Sequence, residues 1–416
     1  MNLYPLIPFE EALDLILQHT PRLDVEEVVF HQALGRVLAE DVHAAEPMPP
    51  FRASAMDGFA VVASDPAEWR KIVGDQWAGP AERLSVSPGQ AVRITTGAPV
   101  PPGADAVVPV ENSEEAGGRV RFDRTVKPGA NVRPVSEDIA SGQLVLPVGT
   151  VIGPAEIGLL ASMNRLRVPA YCRPVVAVLS TGNEIVEPGA PIAPGQIRDS
   201  NRYTIMSSVV QAGGIPLSLG IVPDEEAALR AAFGRGLEQA DVFIGSGGVS
   251  MGQHDLSRVL IEEWGTVHFG QVKQKPGRPT VFATVDRLEF PRRRLIFGLP
   301  GFPVASLVSF ENLVRPALRQ MAGHTHLFRP TVEARLTHSI RRKGTRIEFQ
   351  RARIEWRGGE WHAAVTGRQT SGRLLSLAGA NALLRLPIGV RQLEPGDIVT
   401  AIRIDQPERV HHAIPR

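Results

Sequence analysis

One cysteine, Cys172, stands in 416 residues, so the chain can build neither an internal disulfide nor a thiolate knuckle for zinc. A reduced, cytoplasmic setting is the expectation. Charge of one sign is equally scarce: 45 basic residues face 44 acidic ones. No Lys/Arg run is interleaved with aromatics, which leaves nucleic-acid binding without support. No apolar run approaches the roughly 20 residues needed to cross a bilayer, and Glu10, Glu11 and Asp14 stand where a secretory leader would carry positive charge. Neither nucleic acid nor membrane is an expected partner.

Turn-formers are plentiful, with 35 Pro and 40 Gly, and they predict short strands with helices confined to certain stretches. The length suggests roughly two to four domains. Phe9, Leu13, Ile16 and Leu17 share one face of a first helix that ends by Pro21, and a second helical stretch is expected over Ala33, Val37 and Leu38. From about Ala44 to Ser141, short β-prone runs alternate with turns such as Pro101-Pro102-Gly103 and Lys127-Pro128-Gly129, which reads as an all-β insertion. A helix around Ala155 to Met163 follows. Residues 171 to 327 then alternate strand and helix. The strands are Val175–Leu179, Leu217–Val222, Asp241–Gly245 and Leu295–Phe297; the helices are near Tyr203–Gln211, 228–237, Leu256–Trp264 and Val304–Met321. That spacing predicts a parallel, doubly wound sheet. Strand patterns return after Pro330, enough for a small C-terminal barrel or sandwich.

In an open parallel sheet, ligands bind beyond the carboxyl ends of the strands, where helix N-termini present free N–H groups and the positive end of a dipole. The loops there are Ser180-Thr181-Gly182-Asn183-Glu184, Pro223-Asp224, Gly245 to Gly252 ending at Asp255, and Gly298-Leu299-Pro300-Gly301-Phe302-Pro303. Hydroxyls and glycines can wrap a phosphate. The carboxylates of Glu184, Asp224 and Asp255 repel one, unless a divalent cation lies between. Without a His/Cys cluster, oxygen ligands favour Mg²⁺. The Gly245 loop lacks a Walker lysine and breaks G-x-G-x-x-G at Ser250, which disfavours a generic NTPase or dinucleotide enzyme. Each residue also has a plainer reading. Asp224, Asp255, Ser200 and Asn201 can cap helices, Asp57-Gly58 can be a simple turn, His324 and His326 read as surface residues, and Arg292-Arg293-Arg294 reads as a solvated turn.

Taken together, the motifs resemble the molybdopterin molybdenumtransferase family, which includes bacterial MoeA and the C-terminal domain of gephyrin. The matching stretches are Ala33-Leu34-Gly35-Arg36-Val37-Leu38-Ala39, Ser54-Ala55-Met56-Asp57-Gly58, Thr96-Gly97-Ala98-Pro99, Glu137-Asp138-Ile139, Ser180-Thr181-Gly182, Ser246-Gly247-Gly248-Val249-Ser250 and Gly298-Leu299-Pro300-Gly301, in the family's order. The resemblance implies four parts: a linker domain over 22–43 and 142–170, the β insertion over 44–141, a catalytic α/β domain over 1–21 and 171–327, and a C-terminal β domain over 328–416. It implies a homodimer that inserts molybdate into adenylylated molybdopterin and releases AMP, with Mg²⁺ held among Glu184, Asp224 and Asp255, and with the molybdopterin adenylyltransferase as a further partner. By position, Asp57, Thr96, Asp138, Glu184, Asp224 and Asp255 carry the catalysis. Thr181, Gly182, Ser246, Gly247, Gly248, Ser250, Pro300 and Pro303 bind the substrate, as do Lys275 and Arg278, which are further candidates beside Arg346, Ser371 and Arg373 for holding the molybdate. A tungstate-inserting paralogue and a molybdopterin-binding scaffold without turnover stand as alternatives. The chain departs from the family at Ser136 for glycine, Asn183 for an acidic residue, Gln253 for glutamate, Arg278 for lysine and Phe302 for asparagine.

Overall fold

The computed structural model describes residues 4–80, 84–123, 125–247 and 256–404, with side chains in the helix that begins at Leu256 described from residue 259 onward. Two compact units result, Met1–Ala39 with Val168–Arg416, and Glu40–Arg167.

The larger unit is built on the alternating region. Its helices are α1 (Phe9–His19), α2 (Asn201–Gln211), α3 (Glu226–Gln239), α4 (Leu256–Trp264), α5 (Pro303–Ser309) and α6 (Arg315–Met321). Its first strands are β1 (Val175–Thr181), β2 (Ile215–Val222), β3 (Val242–Ser246), β4 (Thr266–Phe269), β5 (Gln274–Lys275), β6 (Val281–Val285) and β7 (Arg294–Leu299). Six of them form one sheet in the order β2-β1-β3-β7-β6-β4. The first four run parallel, as expected. The last two pairings, β7 with β6 and β6 with β4, are antiparallel, so the sheet is mixed. The reason is connection length: β6 and β7 are joined by a short turn, and a parallel return needs a crossover of a dozen residues or more.

Strand alternation assigns the two faces. Val176, Val178, Val242, Ile244, Leu295 and Phe297 point to one side, against Ile205 and Val209 of α2, Val304 and Val308 of α5, and Phe9 and Ile16 of α1. Ala177, Leu179, Phe243 and Ile296 point to the other, against Leu229, Phe233 and Leu237 of α3 and Leu260 of α4. Each fully buried large side chain contributes about 1.5–3 kcal/mol, and together they fix the carboxyl edge that carries the loops. After it come β8 (Thr331–Leu336), β9 (Ile347–Arg357), β10 (Glu360–Val365), β11 (Ala382–Leu386) and β12 (Ile398–Arg403). These close in the order β9-β10-β8-β12-β11 and back to β9, a five-stranded barrel, with β5 added parallel to β9.

The smaller unit holds a six-stranded sheet in the spatial order Ala106–Pro109, Gly58–Val61, Gln90–Ile94, Arg70–Gln76, Arg119–Phe122 and Ser113–Ala116. Phe59, Val61, Ala91, Ala106 and Val108 cover one face; Ala60, Val92, Ile94 and Val107 cover the other. A helix over Pro154–Ser162 follows, begun by Pro154 and a Glu156 carboxylate that accepts the Gly153 N–H at 2.8 Å.

Four local expectations fail. Residues 33–38 are not helical: Gly35 turns the chain at φ +77°, and Leu38 bridges Ala170 in extended backbone. The helix over 304–321 is interrupted by a π turn at Phe310–Val314. Pro316 lacks the N–H that the Asn312 carbonyl needs, so the turn widens. Arg294 is not solvated; it is 6% exposed, opens β7 and pairs with Asp241 at 3.0 Å. His324 is buried rather than at the surface, although His326 is exposed. Burial, with the Arg319 and Arg315 cations beside it, holds His324 down at about 4. An unfolded histidine titrates near 6.5, so between those values the unfolded state binds the extra proton. Stability contributed by neutral His324 is therefore present above pH 6.5 and is lost as pH falls towards 4. His324→Asn, which keeps an acceptor for Arg319, should flatten Tm against pH across that window. An unchanged profile would remove this assignment.

Candidate functional site

The order β2-β1-β3 means that the chain leaves β1 to one side and then crosses to the other. Adjacent connections diverge at that point and open a crevice at the carboxyl ends of β1 and β3. Thr181 ends β1, and Ser246 ends β3 with Gly247 next. All three are drawn together. Gly247 lies at φ +86°, and a Cβ placed on it would fall 2.7 Å from the Thr181 carbonyl oxygen and 3.5 Å from its hydroxyl. Only glycine fits there. Gly301, in the loop after β7, comes within 3.7 Å of the Gly247 Cα, measured from its own ideal Cβ.

Asn201 ties these loops together. Its Nδ2 donates to Ser246 Oγ at 2.8 Å and to the Gly301 carbonyl at 2.7 Å. The capping role expected of Asn201 is therefore replaced by a bridging one. Ser200 does occupy the N-cap of α2 but makes no capping side-chain bond. The hydroxyl of Thr181 and the Oδ1 of Asn201 are buried with no hydrogen-bond partner among the described residues. Orphaned polar atoms in a glycine cradle are what a site for a polar ligand requires, because an unsatisfied buried group is otherwise costly. Pro300 is buried behind this loop, and Pro303 begins α5. Phe302, 65% exposed, leans on Gly372. The Ser371 carbonyl accepts the Val304 N–H at 3.0 Å, so Ser371 and Arg373 lie on a loop seated beside the start of α5; Arg373 itself is exposed.

On the outer side of β1, the Gly182 backbone at φ +140° lets the Glu184 carboxylate fold back: a Cβ on Gly182 would meet Glu184 Oε2 at 2.6 Å. Asp224 stands before α3 but is not its N-cap, a place taken by Glu225. Its backbone N–H donates to Asn183 Oδ1 at 3.4 Å. The Asp224 side chain is exposed, yet its carboxyl end is partly screened from water. That screening, and then the neighbouring Glu184 charge, push the Asp224 carboxyl above its usual range. Two carboxylates held in mutual repulsion at a strand's carboxyl end are a donor set suited to a hard divalent cation. Gly248, Ser250 and Asp255 lie outside the described residues.

The smaller unit holds its own constellation. Asp57 Oδ1 accepts from the Thr96 N–H at 2.7 Å and the Thr96 hydroxyl at 2.8 Å, and these bonds hold the carboxyl below its usual range. Ser54 braces the same turn through bonds to Met56 and the 97–98 backbone. Asp57-Gly58 is thus more than a turn. Asp138 is exposed and its side chain makes no hydrogen bond among the described residues; its N–H donates to the Met48 carbonyl. Ser136, where the family has glycine, sits at φ +64°, a conformation that glycine adopts more readily.

Lys275 and Arg346 also converge. They line a cavity of about 250 Å³ with Lys343, Gly344, Thr345 and Glu348. Arg278 does not join them; its Nε donates to Gln271 Oε1 at 2.9 Å. Sequence reasoning missed Asn201, Lys343 and Glu348. A basic, glycine-centred run, Lys343-Gly344-Thr345-Arg346, was visible but lies far from the α/β loops along the chain.

Comparison with known proteins matches most of the chain. Residues 7–164 match the MoeA N-terminal region (domain I and II), 177–320 the probable molybdopterin binding domain, and 333–404 the MoeA C-terminal region (domain IV). A molybdopterin molybdenumtransferase from Nostoc is 35% identical over 97% of this chain and 95% of its own length. The chain belongs to the MoeA family. A molybdopterin molybdenumtransferase from Bacillus subtilis is 34% identical, with 96% of this chain and 94% of that protein covered. A gephyrin from Dictyostelium discoideum is 37% identical over 96% of this chain, which spans 62% of that protein's length. Among solved structures, a MoeA molybdopterin biosynthesis protein from Pyrococcus horikosii superposes with a TM-score of 0.81 at 30% identity, covering 97% of this chain and 100% of the other. Among the described residues of this MoeA-family chain, no helix is long and apolar enough to cross a membrane.

Proposed function

We propose that this chain is a molybdopterin molybdenumtransferase, which inserts molybdate into adenylylated molybdopterin and releases AMP. The observation that carries the proposal is the Gly247 cradle at the β1–β3 crevice. There the Thr181 hydroxyl and Asn201 Oδ1 are buried without partners among the described residues, beside the Glu184–Asp224 carboxylate pair. In this reading Thr181, Gly182, Ser246 and Gly247 bind the pterin-side phosphate through hydroxyl and backbone N–H groups. Phe302, Pro300 and Pro303 shield that edge. Lys275, Lys343 and Arg346 hold the molybdate dianion, with Ser371 and Arg373 beside the same edge.

Glu184 and Asp224, with Asp255, would hold Mg²⁺, whose charge would offset that of the leaving phosphate. The Asp224 environment fits that group, because a cation beside the two carboxylates would offset both the partial desolvation and the Glu184 charge that raise the Asp224 pKa. Asp57, Thr96 and Asp138 are assigned to the same reaction, and the assembly is a homodimer in a cytoplasmic setting. Incubation with adenylylated molybdopterin, Mg²⁺ and molybdate, with AMP quantified by chromatography, tests the proposal. No molybdate-dependent AMP would overturn it.

Thr181→Val removes a buried hydroxyl that lacks a partner among the described residues, so Tm should hold or rise by a few degrees. If the hydroxyl meets the substrate, the variant should bind adenylylated molybdopterin roughly tenfold more weakly, the loss of about 1.4 kcal/mol. Calorimetric titration reads this directly, and unchanged affinity would remove Thr181 from the site.

A further inference from the structure

The Lys275–Arg346 cavity is lined by three cations and one carboxylate, and their bonding is unequal. Among the described residues the Arg346 guanidinium donates only to the Gln274 carbonyl at 3.3 Å, and Lys343 makes no ion pair. Lys275 is different: its Nζ lies 2.7 Å from Glu348 Oε1, its partner in register across the β5–β9 pairing. Glu348 is 5% exposed. Its other oxygen accepts from Arg342 Nε at 3.0 Å, and Gln350 Nε2 donates to Oε1 at 3.2 Å. Burial alone would raise the Glu348 carboxyl, but these donors, Lys275 foremost, hold it below its usual range and so ionised at neutral pH.

Arg342 cannot turn to a ligand. Its remaining nitrogens donate to the Pro387 and Arg346 carbonyls at 2.7 Å each, and its side chain is 1% exposed. Lys275 can, since its side chain is 46% exposed and its stem is flexible. Of Glu348's charged partners, Lys275 alone is free to exchange the carboxylate for an incoming anion.

We propose that Glu348 is a positioning residue for oxyanion capture: it holds the Lys275 ammonium at the mouth of the cavity and, by competing for it, sets how tightly a tetrahedral dianion is bound. This rests on the reading above that the cavity takes molybdate. A fixed carboxylate a few ångströms from a bound dianion repels it, and it also neutralises the cation the dianion needs. Glu348→Gln keeps an acceptor for Lys275 and Arg342 while removing the charge.

Titration of the full chain with sodium molybdate tests the proposal. Glu348→Gln should bind about tenfold more tightly or better, as expected for removing one like charge at this range, with a steeper dependence on ionic strength and a lower KM for molybdate without a rise in kcat. Lys275→Met should weaken binding about tenfold, and Glu348→Gln should have far less effect in that background. A residue serving only the fold would shift Tm without this dependence on Lys275. If the wild type binds no molybdate, or Arg346→Ala binds it as well as the wild type, the reading of the cavity fails. If Arg346→Ala weakens binding but Glu348→Gln leaves it unchanged or weaker, this inference alone is overturned. Should Glu348→Gln not fold, Lys275→Met decides, since an exposed lysine can be replaced without unfolding the chain: a tenfold loss supports the proposal and a change below twofold overturns it.

Discussion

Asp224→Asn is expected to slow AMP release by roughly a hundredfold or more, the ~3 kcal/mol that one preorganised electrostatic group contributes, while the protein melts no earlier than the wild type. The two halves of that expectation have one cause. Partial desolvation and the Glu184 charge raise the Asp224 pKa. A carboxylate whose folded pKa lies above its unfolded value costs stability once ionised. A neutral amide of the same shape removes that cost, so Tm should hold or rise at neutral pH. The same substitution removes one of the two described carboxylates that could hold the divalent ion. Turnover at the wild-type rate would end the carboxylate–metal mechanism.

Gly58→Ala should do the reverse and unfold before it informs on catalysis. An ideal Cβ there would lie 1.9 Å from the Val108 carbonyl oxygen and 2.9 Å from the Pro109 Cα. Both contacts are backbone, in the strand paired directly with Gly58, so no rotamer change relieves them. A cost of about 3 kcal/mol is expected, which lowers the melting transition by roughly 10 °C for a unit of this size. Gly158→Ala is the control in the same unit: it lies within the Pro154–Ser162 helix, and its Cβ meets nothing within 4 Å. That change should stabilise by about 0.5–1 kcal/mol. Equal effects from the two substitutions would show that the close approach at Gly58 is not what the motif's glycine is for.

These two glycines illustrate what could be read without coordinates. Periodicity placed the four parallel strands of the large sheet within two residues, because Val175–Leu179 and Leu295–Phe297 are buried on both faces and read as unbroken apolar runs, whereas the antiparallel strands β4 and β6 were not read. The carboxyl-end loops were legible for the same reason: a common strand direction follows from strand–helix alternation, and the ligand edge from that direction, whereas the order of the strands came only from the structure. Residues 33–38 misled because a helix-like apolar spacing was followed past Gly35, whose left-handed turn ends any helix. Arg294 and His324 misled because charge and histidine are usually solvated, and only tertiary partners such as Asp241 and Arg319 reverse that. Asn201 reads as a cap from sequence because its place at the start of a helix is local information, whereas its partners Ser246 and Gly301 lie 45 and 100 residues away. Glu348 gave no signal at all. Nothing in an isolated strand tells which of its alternating residues will face a lysine delivered by another segment.

The placement of that lysine carries one more consequence. Lys275 belongs by chain order to the α/β region, but its backbone is stitched to the barrel through Gln274 against Ile347 and Lys275 against Glu348. A shortened protein ending near residue 330 could keep every loop of the crevice and would still lose the wall that aims this ammonium, together with Lys343 and Arg346. Under the proposed function the barrel is therefore one jaw of a clamp rather than an appendage, and a truncation is expected to separate nucleotide capture from oxyanion capture.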